Sequence, residues 1–308
     1  MKACLFTALL LTFHTCQPIM SQGTLLPPRA VESKALGTNR TVRIYLPPSY
    51  ATSLRKRYPV LYVHDGQNVF STAGTNACFG WGAWDLDHTV DRLIAEGAMR
   101  EILIVAVDNS RLRYSEYRGL TRPRGPLAAM STAFDRYAAF LISELKPMID
   151  REFRTSKTPA STAVMGSSLG GIASLSLAWA HPKTFGGAAS LSGSYQIEKR
   201  AFLEKVLRPA TRRAGKLRLY LDSGVVDFTG DDDGRRNTGE VAAELRRLGW
   251  KDGKDLLLLV DESPMTDAQL AAAGLRHEKW EEAKRSQHNE FYWRQRAGRA
   301  LAFLFPPK

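Results

Sequence analysis

The chain has 308 residues, 44% apolar and 24% charged, with 24 Gly and 15 Pro. That composition excludes a collagen, a low-complexity disordered chain and a multi-span membrane protein, and leaves ample length for one large core. Lys and Arg number 43 against 31 Asp and Glu, a formal net charge of +12, which favours anionic partners. The basic residues nevertheless fall in scattered groups (Arg55-Lys56-Arg57, Arg212-Arg213, Arg235-Arg236, Arg246-Arg247). No basic helix and no stacking aromatics accompany them, so nucleic acid is not an expected partner. The three cysteines show neither metal-ligand spacing nor a disulfide framework, so no metal or other cofactor is expected.

Residues 1–23 read as a leader: Lys2, an apolar run from Ala3 to Phe13, then a polar stretch. The run is too short to span a bilayer. An exported protein, periplasmic or secreted, is the expectation; lipidation at Cys16 is an alternative, but Phe13-His14-Thr15 lacks the Leu and small residues of a lipoprotein signal.

The remaining chain, 24–308, reads as one domain. Arg40 to Leu46 alternates and stops at Pro47-Pro48, which predicts an edge strand. Short apolar runs follow at Val60–Val63, Ile102–Val107, Thr162–Met165, Ala188–Leu191, Leu217–Leu221 and Leu256–Val260, the pattern of strands buried on both faces of a parallel sheet. Helix-length amphipathic stretches lie between or beyond them: Asp87–Glu96, Thr132–Glu152, Leu169–Ala180, Glu198–Leu207, Thr238–Leu248 and Asn289–Leu304. This alternation predicts an α/β fold, a mostly parallel doubly wound sheet with helices on both faces. A polar, partly helical insertion at 262–287 separates the last strand from the last helix, as a lid or a surface elaboration.

In such sheets ligands meet the carboxyl ends of the strands. There, after Thr162–Met165, stands Gly166-Ser167-Ser168-Leu169-Gly170, a Gly-x-Ser-x-Gly that opens a helix. A sharp strand-to-helix turn exposes the serine, and the glycines relieve clashes that side chains would create. Ser168 is therefore the candidate nucleophile and the Leu169 N–H one oxyanion donor. His288, just ahead of the final helix, is the candidate base. The acid is expected after Leu217–Leu221, where Asp222, Asp227, Asp231, Asp232 and Asp233 all stand. Asp227 has the slack to turn towards His288, whereas Asp231 to Asp233 read as a solvated turn. A second oxyanion donor is expected from His64-Asp65-Gly66-Gln67-Asn68, with Gln67 first and Gly66 next, Gly66 because it lets the backbone approach a ligand. Asp65 and Asn68 otherwise read as a turn that bonds its own backbone.

Tyr58 to Phe70, Trp84-Asp85-Leu86-Asp87, Ile104 to Asn109 with Arg113 and Glu116-Tyr117, Met165 to Gly171, and His288-Asn289-Glu290 with Trp293 together resemble the esterase D-like "putative esterase" family. That family includes enterochelin, feruloyl and acetyl-xylan esterases and mycolyltransferases. The resemblance runs from about Arg40 to the C-terminus and implies an α/β-hydrolase fold. It also implies Ser168 as nucleophile, His288 as base and Asp227 as acid, because Leu221 to Asp227 is similar to the family's strand-then-acid segment; Gly224-Val225 stands where the family usually has Gly-Thr. The expected activity is serine ester hydrolysis through an acyl-enzyme, on a small or polysaccharide-linked siderophore, hydroxycinnamoyl or acetyl ester. The alternatives are an acyltransferase with the same triad, or a non-catalytic carbohydrate- or wall-binding protein. Trp81, Trp84, Arg113 and Tyr117 are candidates to line the substrate side.

Overall fold

The computed structural model describes residues 22–122 and 132–307; the leader, apart from its last two residues, lies outside them. A nine-stranded sheet organises the chain. Its strands are β1 Thr24–Leu25, β2 Arg29–Ser33, β3 Thr38–Leu46, β4 Val60–His64, β5 Leu103–Val107, β6 Thr162–Ser167, β7 Gly187–Leu191, β8 Arg218–Ser223 and β9 Leu256–Val260. The order is β1-β3-β5-β4-β6-β7-β8-β9, with β2 also paired to β3. From β5 to β9 all pairs are parallel, while β3 runs antiparallel to β5.

The strand expected at the edge is interior. Its far side pairs with β2 (Val42 opposite Arg29, Thr38 opposite Ser33) and then with β1 (Leu46 opposite Thr24). Pro47-Pro48 terminates it because proline has no N–H to donate, but the polar segment before it supplies two short strands that cover the edge. Gly23 is already part of this fold: its N–H donates to Asp91, and a Cβ there would collide with the Tyr45 ring.

Continuous apolar strands make two cores because successive side chains point to opposite faces. Tyr62, Val105, Val107, Val164 and Leu219 join one core with helices α1 Ala133–Ala139 and α2 Lys146–Glu152, α3 Leu169–Ala180 and α4 Arg235–Arg247. Leu61, Val63, Ile104, Ala106, Met165 and Tyr220 join the other, closed by Leu86, Val90 and Leu93 of the Leu86–Ala95 helix and by Trp293 to Leu304 of the last helix, α5 Glu290–Leu304. The stretch expected as one helix over Thr132–Glu152 starts where expected, with a Thr132–Asp135 capping box, but passes through a π-helical segment at Phe140–Leu145 before Pro147. Proline lacks the N–H that a continuous α-helix would use, and the wider turn accommodates that loss.

The 262–287 insertion folds as short helices, Asp267–Ala272 and Trp280–Arg285, around a third small core of Trp81, Leu270, Leu275, Ala283, Phe291 and Tyr292. It is packed against the start of α5. No helix among the described residues is long and apolar enough to cross a membrane.

Candidate active site

Three strand ends converge on one point. β6 turns into α3 through Ser168, whose backbone sits at φ 54°, ψ −121°, a region that non-glycine residues enter only when the surroundings hold them there. Ser168 N–H donates to Leu191 O and Ser168 O accepts from Ser194 N–H, which ties the turn to the end of β7. The flanking glycines are required by contact: a Cβ on Gly166 would lie 2.7 Å from the Gly170 carbonyl carbon, and one on Gly170 would lie 3.2 Å from His64 Cβ. As the first residue of α3, Leu169 has an N–H with no preceding turn to accept it.

His288 reaches this turn from the loop before α5, with Nε2 2.9 Å from Ser168 Oγ. Its Nδ1 lies 2.6 Å from Asp233 Oδ1. Asp227, the residue expected there, points elsewhere: its Oδ1 accepts from Ser286 Oγ at 3.0 Å and from the Phe228 N–H. The run expected as a solvated turn is divided. Asp231 is exposed, Asp232 accepts from the Arg236 N–H at the start of α4, and Asp233 is buried at 1% exposure. Asp233 at φ 52° and Gly234 at φ 70° fold the loop back, so the carboxylate beside His288 comes from its far end, next to α4.

Asp233 is held by more than the histidine. Its Oδ2 accepts from Ser192 Oγ at 2.6 Å and from the Gly224 N–H at 2.5 Å. Burial is the largest single influence and pushes its pKa up, but the His288 bond, the charges of His288 and Arg296 and the Ser192 bond together bring it below the usual carboxylate range. A charged Asp233 is an acceptor only. Nδ1 of His288 therefore carries the proton and the Nε2 lone pair faces Ser168, an assignment that follows from the hydrogen-bond network.

Behind the aspartate lies Arg296, 3% exposed, an interior cation on α5. Its guanidinium is 3.2 Å from Asp222, donates to Ser192 Oγ at 3.0 Å, and approaches Asp233 at 3.7 Å. Asp222, at the end of β8, also accepts from Tyr220 and from the Ser192 N–H. Burial pushes its pKa up to about 6 despite Arg296. Sequence reasoning left out Ser192 and Arg296, polar residues at a strand end and inside a helix, and gave Trp293 only as part of the family resemblance. Ser192 stands at the mouth of a buried strand with a positive φ of 43°.

The other expected site residues are placed as follows. Gly66 approaches protein rather than open space: a Cβ there would be 2.7 Å from the Ala106 and Val107 backbone. The Gln67 side chain accepts from the Asn109 N–H at 3.1 Å, which fixes the loop that carries its own N–H. Asp65 and Asn68 close the expected turn, the Asn68 N–H donating to the Asp65 carbonyl at 2.9 Å, and the Asp65 carboxylate receives two bonds from Arg113 at 2.7 and 2.8 Å and one from Asn109 Nδ2. Arg113 keeps 30% of its side chain exposed.

Trp84 and Tyr117 do not line an open surface. Trp84 is 3% exposed and packs on Trp293, which in turn stands edge-on to the His288 ring at 5.1 Å and donates to Ser192 Oγ. Tyr117 is fully buried against the rings of His64 and Tyr137. Both lost the expected role because large aromatic rings beside a sheet end gain more from burial than from solvent contact. Trp81 is likewise buried, in the small core of the insertion. Cys78 lies beside Glu290, two residues past His288, and burial raises the pKa of both groups. No cluster of His, Cys, Asp or Glu among the described residues could hold a metal ion.

A parallel α/β sheet that presents a strained serine elbow at its carboxyl end defines an α/β-hydrolase. The family described as "Putative esterase" matches residues 33–303, and the chain belongs to that family, with ester hydrolysis as its class of activity. A ferulic acid esterase superposes with TM-score 0.65 at 18% identity, covering 93% of this chain and all of that one. The enterobactin esterase of Shigella flexneri, solved with enterobactin, superposes with TM-score 0.62 at 20% identity over 91% of this chain and 58% of that one. At these identities the likeness is one of fold. Among curated sequences, YbbA of Bacillus subtilis is 24% identical over 193 residues, 60% of this chain and 68% of that protein. An endo-1,4-beta-xylanase/feruloyl esterase of Xylanibacter ruminicola is 27% identical over 168 residues, 52% of this chain and 20% of the relative's length.

Proposed function

We propose that the protein is a serine carboxylic ester hydrolase in which Ser168 is the nucleophile, His288 the general base and then acid, and Asp233 the orienting acid. The observation that carries this reading is the hydrogen-bonded series Ser168 Oγ, His288 Nε2, His288 Nδ1, Asp233 at 2.9 and 2.6 Å. Ser168 Oγ attacks the ester carbonyl as its proton passes to Nε2; the imidazolium so formed is stabilised by charged Asp233. The N–H groups of Leu169 and Gln67, with Gly66 shaping the second loop, hold the oxyanion of the tetrahedral intermediate. Nε2 protonates the leaving alcohol, and water then repeats the sequence in reverse to free the acid and Ser168.

The substrate class we propose is an ester with a hydroxy-aromatic acyl group. The names of a curated relative and of solved neighbours, a feruloyl esterase and an enterobactin esterase, support it. So does Phe79, an aromatic ring 96% exposed in the loop whose Cys78 lies by Glu290, two residues past His288. Arg113, half-open and fixed by Asp65, adds a positive group on the same side. The leader makes an exported enzyme part of this reading.

Fluorophosphonate labelling with peptide mapping tests the mechanism. Wild-type protein is expected to carry one adduct at Ser168, absent from Ser168→Ala and strongly reduced in His288→Ala, with turnover of methyl ferulate and short p-nitrophenyl esters falling about 10⁴-fold or more in each. A folded wild-type protein that takes no label and turns over no ester refutes it. Added alcohol or sugar acceptors, with product analysis, separate hydrolysis from acyl transfer.

A further inference from the structure

The amino end of the sheet, opposite Ser168, has a cavity of about 540 Å³. It opens where β6, β7, β8 and β9 begin and where α5 ends. Its charged lining is Arg100, Arg213, Lys216, Arg218 and Lys254 against a single carboxylate, Asp255. Asp255 is taken by Arg213 at 2.5 Å. Among the described residues Arg100, Lys216, Arg218 and Lys254 have no ion pair, so the cavity carries a surplus of four positive charges.

These cations are held in place. The Arg100 guanidinium lies over the Phe305 ring at 5.7 Å, Arg218 over Phe303 at 5.1 Å and Arg213 over Trp250 at 4.2 Å. Arg218 also donates to the Phe303 carbonyl at 2.8 Å, satisfying an orphan acceptor at the end of α5. Like charges gathered around one cavity repel, so such an arrangement gains most from an anion that meets several of them at once. The crowding shows in Arg100, whose pKa is lowered by burial and by the nearby Arg218.

We propose that this cavity is a binding site for a small phosphate-bearing anion, a diphosphate or a phosphate monoester, separate from the catalytic centre. A concave site with planar guanidinium forks suits the several oxygens of one compact phosphate group better than it suits a flat lipid surface or a polymer. The site does not depend on the mechanism proposed for Ser168. Parallel strands of five or six residues separate the two ends by roughly 17–20 Å.

Calorimetric titration of the full chain with inorganic pyrophosphate at constant ionic strength tests the proposal. Saturable one-to-one binding is expected, weakened about tenfold or more in Arg100→Gln and in Arg218→Gln, with ester turnover unchanged. If either arginine variant fails to fold, the exposed pair Lys216→Ala with Lys254→Ala keeps the test alive and is expected to weaken binding as well. No saturable binding to wild-type protein overturns the proposal, as does equal affinity in folded variants. Binding to phosphatidylglycerol vesicles without binding of pyrophosphate also overturns it, in favour of a membrane-facing surface.

Discussion

The two ends of the parallel sheet handle charge in opposite ways. At the carboxyl end the buried aspartates have internal cations: Asp65 has Arg113, and Asp222 and Asp233 share Arg296. At the amino end four cations stand without carboxylates around a cavity. The difference teaches what each end is prepared for. Charges satisfied in advance cost no rearrangement when a reaction develops new charge, which is how a preorganised site lowers a barrier. Charges left unsatisfied are an invitation to an external anion, and they do no chemistry on a neutral ester.

Removing the counter-charge at the carboxyl end gives the largest expected effect. Asp233→Asn is expected to lower kcat by about 10⁴-fold with the protein still folded, since an amide in that place stabilises the wrong imidazole tautomer. Asp227→Asn, in the same loop, is expected to change kcat by about twofold at most, a surface substitution away from the reacting groups. Parallel kinetics on one ester decide between them, and a larger loss in Asp227→Asn would return the acid role to that residue.

Next comes a titration that belongs to the carboxyl end alone. Burial draws the His64 pKa down to about 4, with Asp65 raising it and Arg113 lowering it. Folded His64 is therefore neutral at pH 5 while the unfolded ring, near 6.5, takes a proton. Its contribution is complete above pH 6.5 and is lost as pH falls towards 4, by about 2 kcal/mol between pH 7 and 5. Urea unfolding at the two pH values reads this, and His64→Gln should reduce the loss by that amount. An unchanged pH dependence in the variant would mean the ring is protonated in the fold.

A smaller effect is expected from Ser192→Ala, which removes one of two donors on Asp233 Oδ2 and frees Trp293 and Arg296 from their shared acceptor. A roughly tenfold fall in kcat, with KM little changed and the limb of the pH–rate profile that reports the base displaced, marks a positioning residue. A loss of stability with unaltered kcat and pH profile would make Ser192 structural only.

Sequence pattern reached the parallel strands, the elbow at Ser168 and the loop histidine because each is a local signal: an apolar run, glycines at fixed offsets, a polar residue before a helix. It did not reach the acid. Asp227 and Asp233 lie on the two limbs of one loop, and which limb faces His288 depends on left-handed backbone at Asp233 and Gly234. Nor did it place β3 inside the sheet, because strand order is set by pairing with distant segments. Trp84 and Tyr117 stood beside site motifs in the sequence, yet the loop before the Leu86–Ala95 helix and the short helix Arg113–Tyr117 turn them inward to support the site from behind.

The serine is separated from its histidine by 120 residues and the histidine from its aspartate by 55, with the histidine at the threshold of the final helix. Three segments far apart in the chain must pack together before the proposed triad exists, so loss of tertiary packing is expected to end ester cleavage even where local helices and strands persist.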